Sequence, residues 1–357
     1  MSLLFTPWCV RDLTLANRAW VSAMCQYSAT DGVVGDWHLA HLGSLATGGF
    51  GLVMAEATAV APEARISVRC PGLWNDEQIA AWSRVTDFAH AQGTHIGVQL
   101  AHAGRKASTM APWDDHPIAL ASEGGWTAVA PSELAFDGYP LPRALRVDEI
   151  DLVVSQFADA ARRARRAGFD VLEIHAAHGY LLHQFLSPLS NQRDDAYGGS
   201  FENRTRLLRR VVEAVRAVEP DVALFVRLSA TDWVEGGWDL DQTVALAREL
   251  RELGVDLVDV SSGGNVAAAP VPVGPGYQVP FAAAVRRDAG VATSAVGLIT
   301  APDQAESILV AGDADAVMVA RAALRNPRWA LNAAEALGEW IDWRPQLERA
   351  RTLHASR

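Results

Sequence analysis

The segment Gly168-Phe-Asp-Val171-Leu-Glu173-Ile-His175-Ala-Ala-His178-Gly-Tyr180 decides how the chain is read. Before it, residues 148–167 carry apolar side chains three and four apart, the spacing of one helix face, with Asp148 as the expected N-cap. Gly168 stands where that helix should stop. Residues 171–175 then form an apolar run too short for a helix, which reads as a buried strand ending in polar side chains. On a regular strand, residues three apart point to opposite faces. His175 and His178 can act together only if the chain leaves the strand after His175, a turn that Gly179 eases.

The same alternation repeats on both sides. Strands are expected at 21–24, 52–57, 96–100, 224–228, 257–261, 292–295 and 316–319, with helix-patterned segments between them. Ser200 and Asp239 are further expected N-caps, and Gly93 and Gly254 further stops. Gly51-Leu-Val-Met-Ala is nearly continuous in apolar residues, as suits a strand covered on both faces. Eight strand–helix repeats predict an α/β fold, a single (β/α)₈ barrel. An open doubly wound sheet would place a G-x-G-x-x-G turn after an early strand, and none is present. Residues 102–146, rich in Pro, Gly, Ser and Trp, follow the third strand and are expected to fold over the barrel mouth. Without repeats or linkers, residues 1–357 read as one domain.

Composition narrows the partners. Half of the 357 residues are hydrophobic, which excludes disorder, and the formal net charge of -11 makes nucleic acid and membrane surfaces poor partners. Cys9, Cys25 and Cys70 form no C-x-x-C pair for zinc or an iron–sulfur cluster. The opening residues lack a basic start followed by an apolar stretch, so a cytoplasmic protein is expected.

In a barrel, chemistry gathers where strands end. The densest cluster there is His175, His178 and Tyr180, two imidazole donors for one oxygen with a phenol beside them. A metal-dependent lyase or hydrolase using His175, His178 and His183 is the alternative, although no carboxylate at a natural spacing completes such a site. His38 and His41 fall in a helix pattern and read as packing or surface residues. Arg227, in an otherwise apolar strand, needs a partner. Two remain open: a carboxylate such as Glu173, or a cofactor ring that becomes anionic on reduction. Ser261-Ser-Gly-Gly264, Gly297 and Ala320-Arg321 end the last three strands as glycine-rich turns with an arginine, a phosphate signal. Cys25, with no adjacent base, is expected to touch a ligand rather than attack one.

Together these residues resemble the Old Yellow Enzyme family of FMN-dependent ene-reductases, and within it the thermophilic-like bacterial branch exemplified by xenobiotic reductase A. The matching stretches are Leu4-Phe-Thr-Pro7, Asn17-Arg18, Met24-Cys-Gln-Tyr27, Glu56-Ala-Thr58, Gln99-Leu-Ala-His-Ala-Gly-Arg-Lys106, His175-Ala-Ala-His-Gly-Tyr-Leu181, Asp195-Ala-Tyr-Gly-Gly-Ser-Phe-Glu-Asn-Arg204 and Val319-Ala-Arg321.

The resemblance implies noncovalent FMN at the barrel mouth, with NADPH or NADH as hydride donor. It puts Met24, Cys25, Ala57, Gln99 and Arg227 around the ring and Gly297, Ala320 and Arg321 on the phosphate. The substrates implied are enones, other activated alkenes and phenolic ligands. Their oxygen would be held by His175 and His178, Tyr180 would donate the proton, and Tyr27 and Cys25 would line the pocket. A homodimer or homotetramer is implied, with the tail from about residue 340 reaching a neighbouring subunit. Ala23 and Val296 depart from the family, which often has Pro before Met24 and, in some members, Trp at position 296.

Overall fold

The computed structural model describes residues 2–351. After a hairpin of β1 (Trp8–Val10) and β2 (Leu13–Leu15), the chain forms β3 (Ala19–Val21), α1 (Asp36–Ala46), β4 (Leu52–Ala59), α2 (Asp76–Ala91) and β5 (His95–Ala101). The long excursion that follows contains two single-turn 3-10 helices (Gly104–Lys106 and Ala121–Glu123) and the short strands β6 (Val129–Ala130) and β7 (Arg143–Ala144), paired with each other. Next come α3 (Val147–Arg166), β8 (Val171–Ala176), α4 (Leu181–Leu186), α5 (Phe201–Val218), β9 (Ala223–Ser229), α6 (Leu240–Glu252) and β10 (Leu257–Ser261). α7 (Val279–Ala289), β11 (Ala292–Ala295), α8 (Pro302–Val310), β12 (Ala316–Val319), α9 (Arg321–Arg325) and α10 (Trp329–Ala336) complete the order. Strands β3, β4, β5, β8, β9, β10, β11 and β12 close into a barrel in that order, as the alternation predicts.

Every residue of β4, β8, β9 and β10 is buried, because helices cover one face and the barrel interior the other. The helices pack through the predicted faces: α3 buries Ile150, Val153, Val154 and Phe157. Ser200 and Asp239 cap α5 and α6 by accepting the Asn203 and Gln242 N–H groups. Asp148 is not a cap. The cap is Arg146, two residues earlier, helix α3 starts at Val147, and Glu149 folds back to accept the Arg146 N–H.

Inside the barrel, side chains at alternate positions form layers. The lowest is apolar and includes Trp20, Leu52, Val171, Phe225 and Leu257. The hairpin plugs it from below. Trp8 meets Trp20 edge-on at 5.3 Å between ring centroids, and Trp20 stacks on Phe225 at 5.9 Å. The hairpin is absent from the sequence reading because three-residue strands carry almost no periodicity.

The first barrel strand was expected at 21–24 and instead occupies 19–21. Its parallel ladders end at Val21, so Met24-Cys25-Gln26-Tyr27 is a loop above the barrel. No described helix is long and apolar enough to cross a membrane.

Candidate active site

Strand β8 carries Glu173 and His175 inward and runs to Ala176, after which the chain turns sharply. His178 takes φ +58° and Gly179 φ +73°. A Cβ on Gly179 would lie 2.2 Å from the Gly264 carbonyl oxygen, so only glycine lets the loops after β8 and β10 approach this closely. The turn puts the three chemistry-bearing rings together. His175 and His178 are 5.2 Å apart between centroids and nearly perpendicular; His175 and Tyr180 are 5.0 Å apart.

Hydrogen bonds fix the imidazoles. The Ala177 N–H donates to His175 Nδ1 at 3.3 Å, leaving the proton on Nε2. His178 Nε2 lies 2.7 Å from Ser261 Oγ, and the His178 N–H donates to Ser229 Oγ. Burial, then the Arg227 charge, hold both imidazoles well below the ordinary histidine range, so they are neutral donors. Burial pushes the Tyr180 phenol well above its ordinary range, which keeps its proton in place. Lys106 braces the corner: its Nζ donates to the carbonyls of His178 and Gly264, both at 2.9 Å, and sits 5.1 Å from the Tyr180 ring centroid. Burial lowers this ammonium to about 8.

His183 does not join the pair. Its Nδ1 accepts the Gly179 N–H at 2.9 Å, and its Nε2 faces Asp232 at 3.2 Å in a fully buried position. Its work is to pin the turn from below, so the third ligand required by the metal reading is committed elsewhere. Among the described residues, no three His, Cys, Asp or Glu side chains are grouped as a metal would require.

Around the mouth, Cys25, Tyr27, Ala57, Cys70 and Tyr180 share one cluster. Hydrogen bonding to Cys70, then burial, raise the Cys25 thiol, which therefore stays protonated. The Met24–Tyr27 loop is held by a device absent from the sequence reading. Buried Glu56 accepts the Gln26 N–H at 2.8 Å through one oxygen and faces His38 Nε2 at 3.2 Å through the other. His38 is thus a packing residue, as expected, but one whose partner lies on β4. The register of β4 slips between Ala55 and Ala57, a bulge that re-aims the Ala57 backbone.

Arg227 pairs with Asp259, Nε to Oδ2 at 2.9 Å. Glu173, the carboxylate named from sequence, instead accepts from Gln99 Nε2 at 2.7 Å. Strand register explains the correction. Asp259 is the β10 residue directly opposite Arg227, whereas Glu173 stands opposite Phe225. The signal was present in Leu257-Val-Asp259-Val-Ser261, an acid in a run of apolar residues. The remaining nitrogens of Arg227 have no hydrogen-bond partner among the described residues and face a cavity of about 230 Å³. Val296, Gly297, Ala320, Arg321 and Arg325 line the same cavity. Arg321 and Arg325 are exposed and make no ion pair among the described residues; Arg325 escaped the sequence reading. Gly297 takes φ +122°, a conformation that L side chains rarely adopt, and a Cβ there would come within 2.9 Å of Gln278 Nε2.

This donor set fits flavin mononucleotide. A partly free guanidinium and an amide suit the polar edge of the ring, two unpaired arginines suit the phosphate, and the floor below is closed and apolar. A second cavity of about 470 Å³, lined by Tyr27, Lys106, Tyr139 and Tyr180 among others, lies on the phenol side. The tail was expected to reach a neighbour. As far as Arg351 it folds on its own chain, the guanidinium lying 3.5 Å from the Trp340 ring centroid, and residues 352–357 lie outside the described residues.

Comparison with known proteins agrees with this geometry. The pattern of the NADH:flavin oxidoreductase / NADH oxidase family matches residues 3–339. An NADPH dehydrogenase of Listeria monocytogenes serotype 4a is 49% identical over 353 residues, covering 98% of this chain and 99% of its own. One from Halalkalibacterium halodurans is 46% identical, covering 97% and 98%. Morphinone reductase superposes with a TM-score of 0.80 at 30% identity, covering 97% of this chain and 92% of its own. The Old Yellow Enzyme homologue of Zymomonas mobilis gives 0.77 at 29%, covering 95% and 94%. The chain therefore belongs to the NADH:flavin oxidoreductase / NADH oxidase family, that of the Old Yellow Enzymes, and is an FMN-dependent oxidoreductase that takes its electrons from NAD(P)H.

Proposed function

We propose that the enzyme reduces the C=C bond of α,β-unsaturated carbonyl compounds, within the thermophilic-like branch of the family. The observation that carries this reading is the convergence of two neutral imidazoles and one protonated phenol at the mouth. Bound FMN supplies the hydride, taken from NAD(P)H and passed to the β-carbon. His175 presents Nε2–H to the substrate oxygen. His178 presents Nδ1–H when the Ser261 hydroxyl donates into its Nε2. Neutral donors suit this task, because negative charge grows on the carbonyl oxygen as hydride arrives, and the hydrogen bonds strengthen with it. Tyr180 then gives its proton to the α-carbon. Its raised pKa prevents premature ionisation, and the Lys106 ammonium over its ring favours the phenolate once the proton has left.

Gln99 and Arg227 would hold the polar edge of the flavin; Gly297, Ala320, Arg321 and Arg325 would hold its phosphate. Met24, Cys25 and Ala57 would meet the ring from the Glu56-braced side, with Tyr27 lining the substrate pocket. The structure of morphinone reductase in complex with tetrahydroNAD, a protein 31% identical to this one, supports a nicotinamide entering the same mouth. The test is stopped-flow kinetics of Tyr180→Phe. Reoxidation by cyclohexenone should slow about 10²-fold, in the range for one general acid, while reduction by NADPH stays near wild type. Equal slowing of both half-reactions would reject the proton-donor role.

A further inference from the structure

The layer above the apolar floor contains more negative charge than its one cation can balance. Gln99 from β5, Glu173 from β8, Arg227 from β9, Asp259 from β10 and Ser294 from β11 face one another in it. Glu173 is 0% exposed, Asp259 1% and Arg227 6%. Asp259 accepts from Ser294 Oγ at 2.8 Å on Oδ1 and has the Arg227 guanidinium 2.9 Å from Oδ2, an ion pair without hydrogen-bond geometry. Glu173 has no cation at ion-pair distance among the described residues. Its Oε1 accepts from Gln99 at 2.7 Å, but its Oε2 is buried without any partner. The other titratable group at this end of β8, His175, is neutral, and Gln99 and Ser294 carry no charge. With both acids ionised the layer holds a net charge of minus one in a space closed by helices and by the hairpin. A half-solvated carboxylate there is costly, and protonation removes the cost.

We propose that Glu173 is a positioning residue that binds and releases a proton with the redox state of FMN, acting through Gln99 and Arg227. The inference rests on the reading that these two residues hold the flavin. Burial first, then the Asp259 charge, push the Glu173 carboxyl up to about 8. Hydride transfer from NAD(P)H brings two electrons and one proton and leaves a negative charge on the reduced ring. That charge raises the Glu173 pKa further. Below about pH 8 the carboxyl is protonated in both states, and reduction takes up one proton per two electrons. Above it, Glu173–CO₂⁻ takes a second proton from solvent to become Glu173–CO₂H.

Spectroelectrochemical titration of the holoenzyme between about pH 6 and 10 tests this. The slope of midpoint potential against pH should double on the alkaline side of about pH 8 in the wild type. In Glu173→Gln, an isostere of the protonated acid, it should stay constant. Protonation of the flavin itself would steepen the acid side instead. Identical profiles in the two proteins would overturn the proposal. If Glu173→Gln fails to retain FMN, infrared titration of the wild-type apoprotein decides. A carboxylic-acid band that vanishes as pH rises through about 8 supports the proposal, and its absence overturns it. Flavin placement is read separately from FMN affinity in Gln99→Ala. Unchanged affinity would remove the flavin from this layer, whereas weakened affinity with identical potential profiles would reject the proton linkage alone.

Discussion

Two layers of one barrel, two residues apart along the same strands, solve burial in opposite ways. On β9, Phe225 faces the apolar floor and Arg227 the polar layer above it. The floor is complete in itself: Trp8, Trp20 and Phe225 fill one another's edges and faces, and nothing in it asks for a ligand. The upper layers are incomplete. Among the described residues, Arg227 keeps free nitrogens, Glu173 an unpartnered oxygen, and His175 an Nε2–H directed to no protein acceptor. The difference teaches where function resides in such a barrel. Area stabilises the closed end, and unfilled hydrogen-bonding capacity marks the open one.

The sharpest way to break the comparison is to strip donors from the open end. His175→Ala/His178→Ala should lower kcat/KM for cyclohexenone about 10⁴-fold, at roughly 10² for each oxyanion donor, with FMN still bound and the melting temperature little changed. Loss of folding instead of turnover would mean that the mouth is as structural as the floor.

The reverse experiment cuts into the closed end. Phe225→Ala should cost about 3–5 kcal/mol of stability, the usual loss for a buried phenylalanine, while the enone rate of the surviving folded fraction stays near wild type. Urea unfolding followed by flavin release would measure the first, and steady-state kinetics normalised to bound FMN the second.

The smallest effect is an absence. Both mouth imidazoles have pKa values well below the ordinary 6.5 or so. They stay neutral in the folded enzyme as pH falls through that value, so the enone half-reaction should be flat from about pH 7.5 to 5.5. In the unfolded chain the same side chains take up protons below about 6.5, so unfolding free energy should decline on the acid side over the same interval. A rate that fell with an apparent pKa near 6.5 would place the imidazoles in contact with solvent.

Much of this was legible in the residues themselves. Alternation of short apolar runs with helical stretches is a local property, and it located eight barrel strands, seven of them to within two residues at each end. The pattern His175-x-x-His178-Gly-Tyr180 named its own turn, because Gly179 is where an L side chain cannot go. Asp148 misled because an acid in the first turn and an acid at the cap look alike in sequence. The first strand slipped because Ser22, Ala23 and Met24 continue the apolar run after the ladder has ended.

The chain alone determined which side chains stand at strand ends and which face inward, since periodicity is written into consecutive residues. Which of them meet was decided only by tertiary structure. Asp259 rather than Glu173 reaches Arg227, Glu56 holds His38, and Asp232 draws His183 away from the other histidines. Each pairing joins residues 18 to 49 positions apart and depends on barrel register and closure, which no local pattern encodes. In a dry interior a single step of register decides whether a charge finds its partner or must keep a proton.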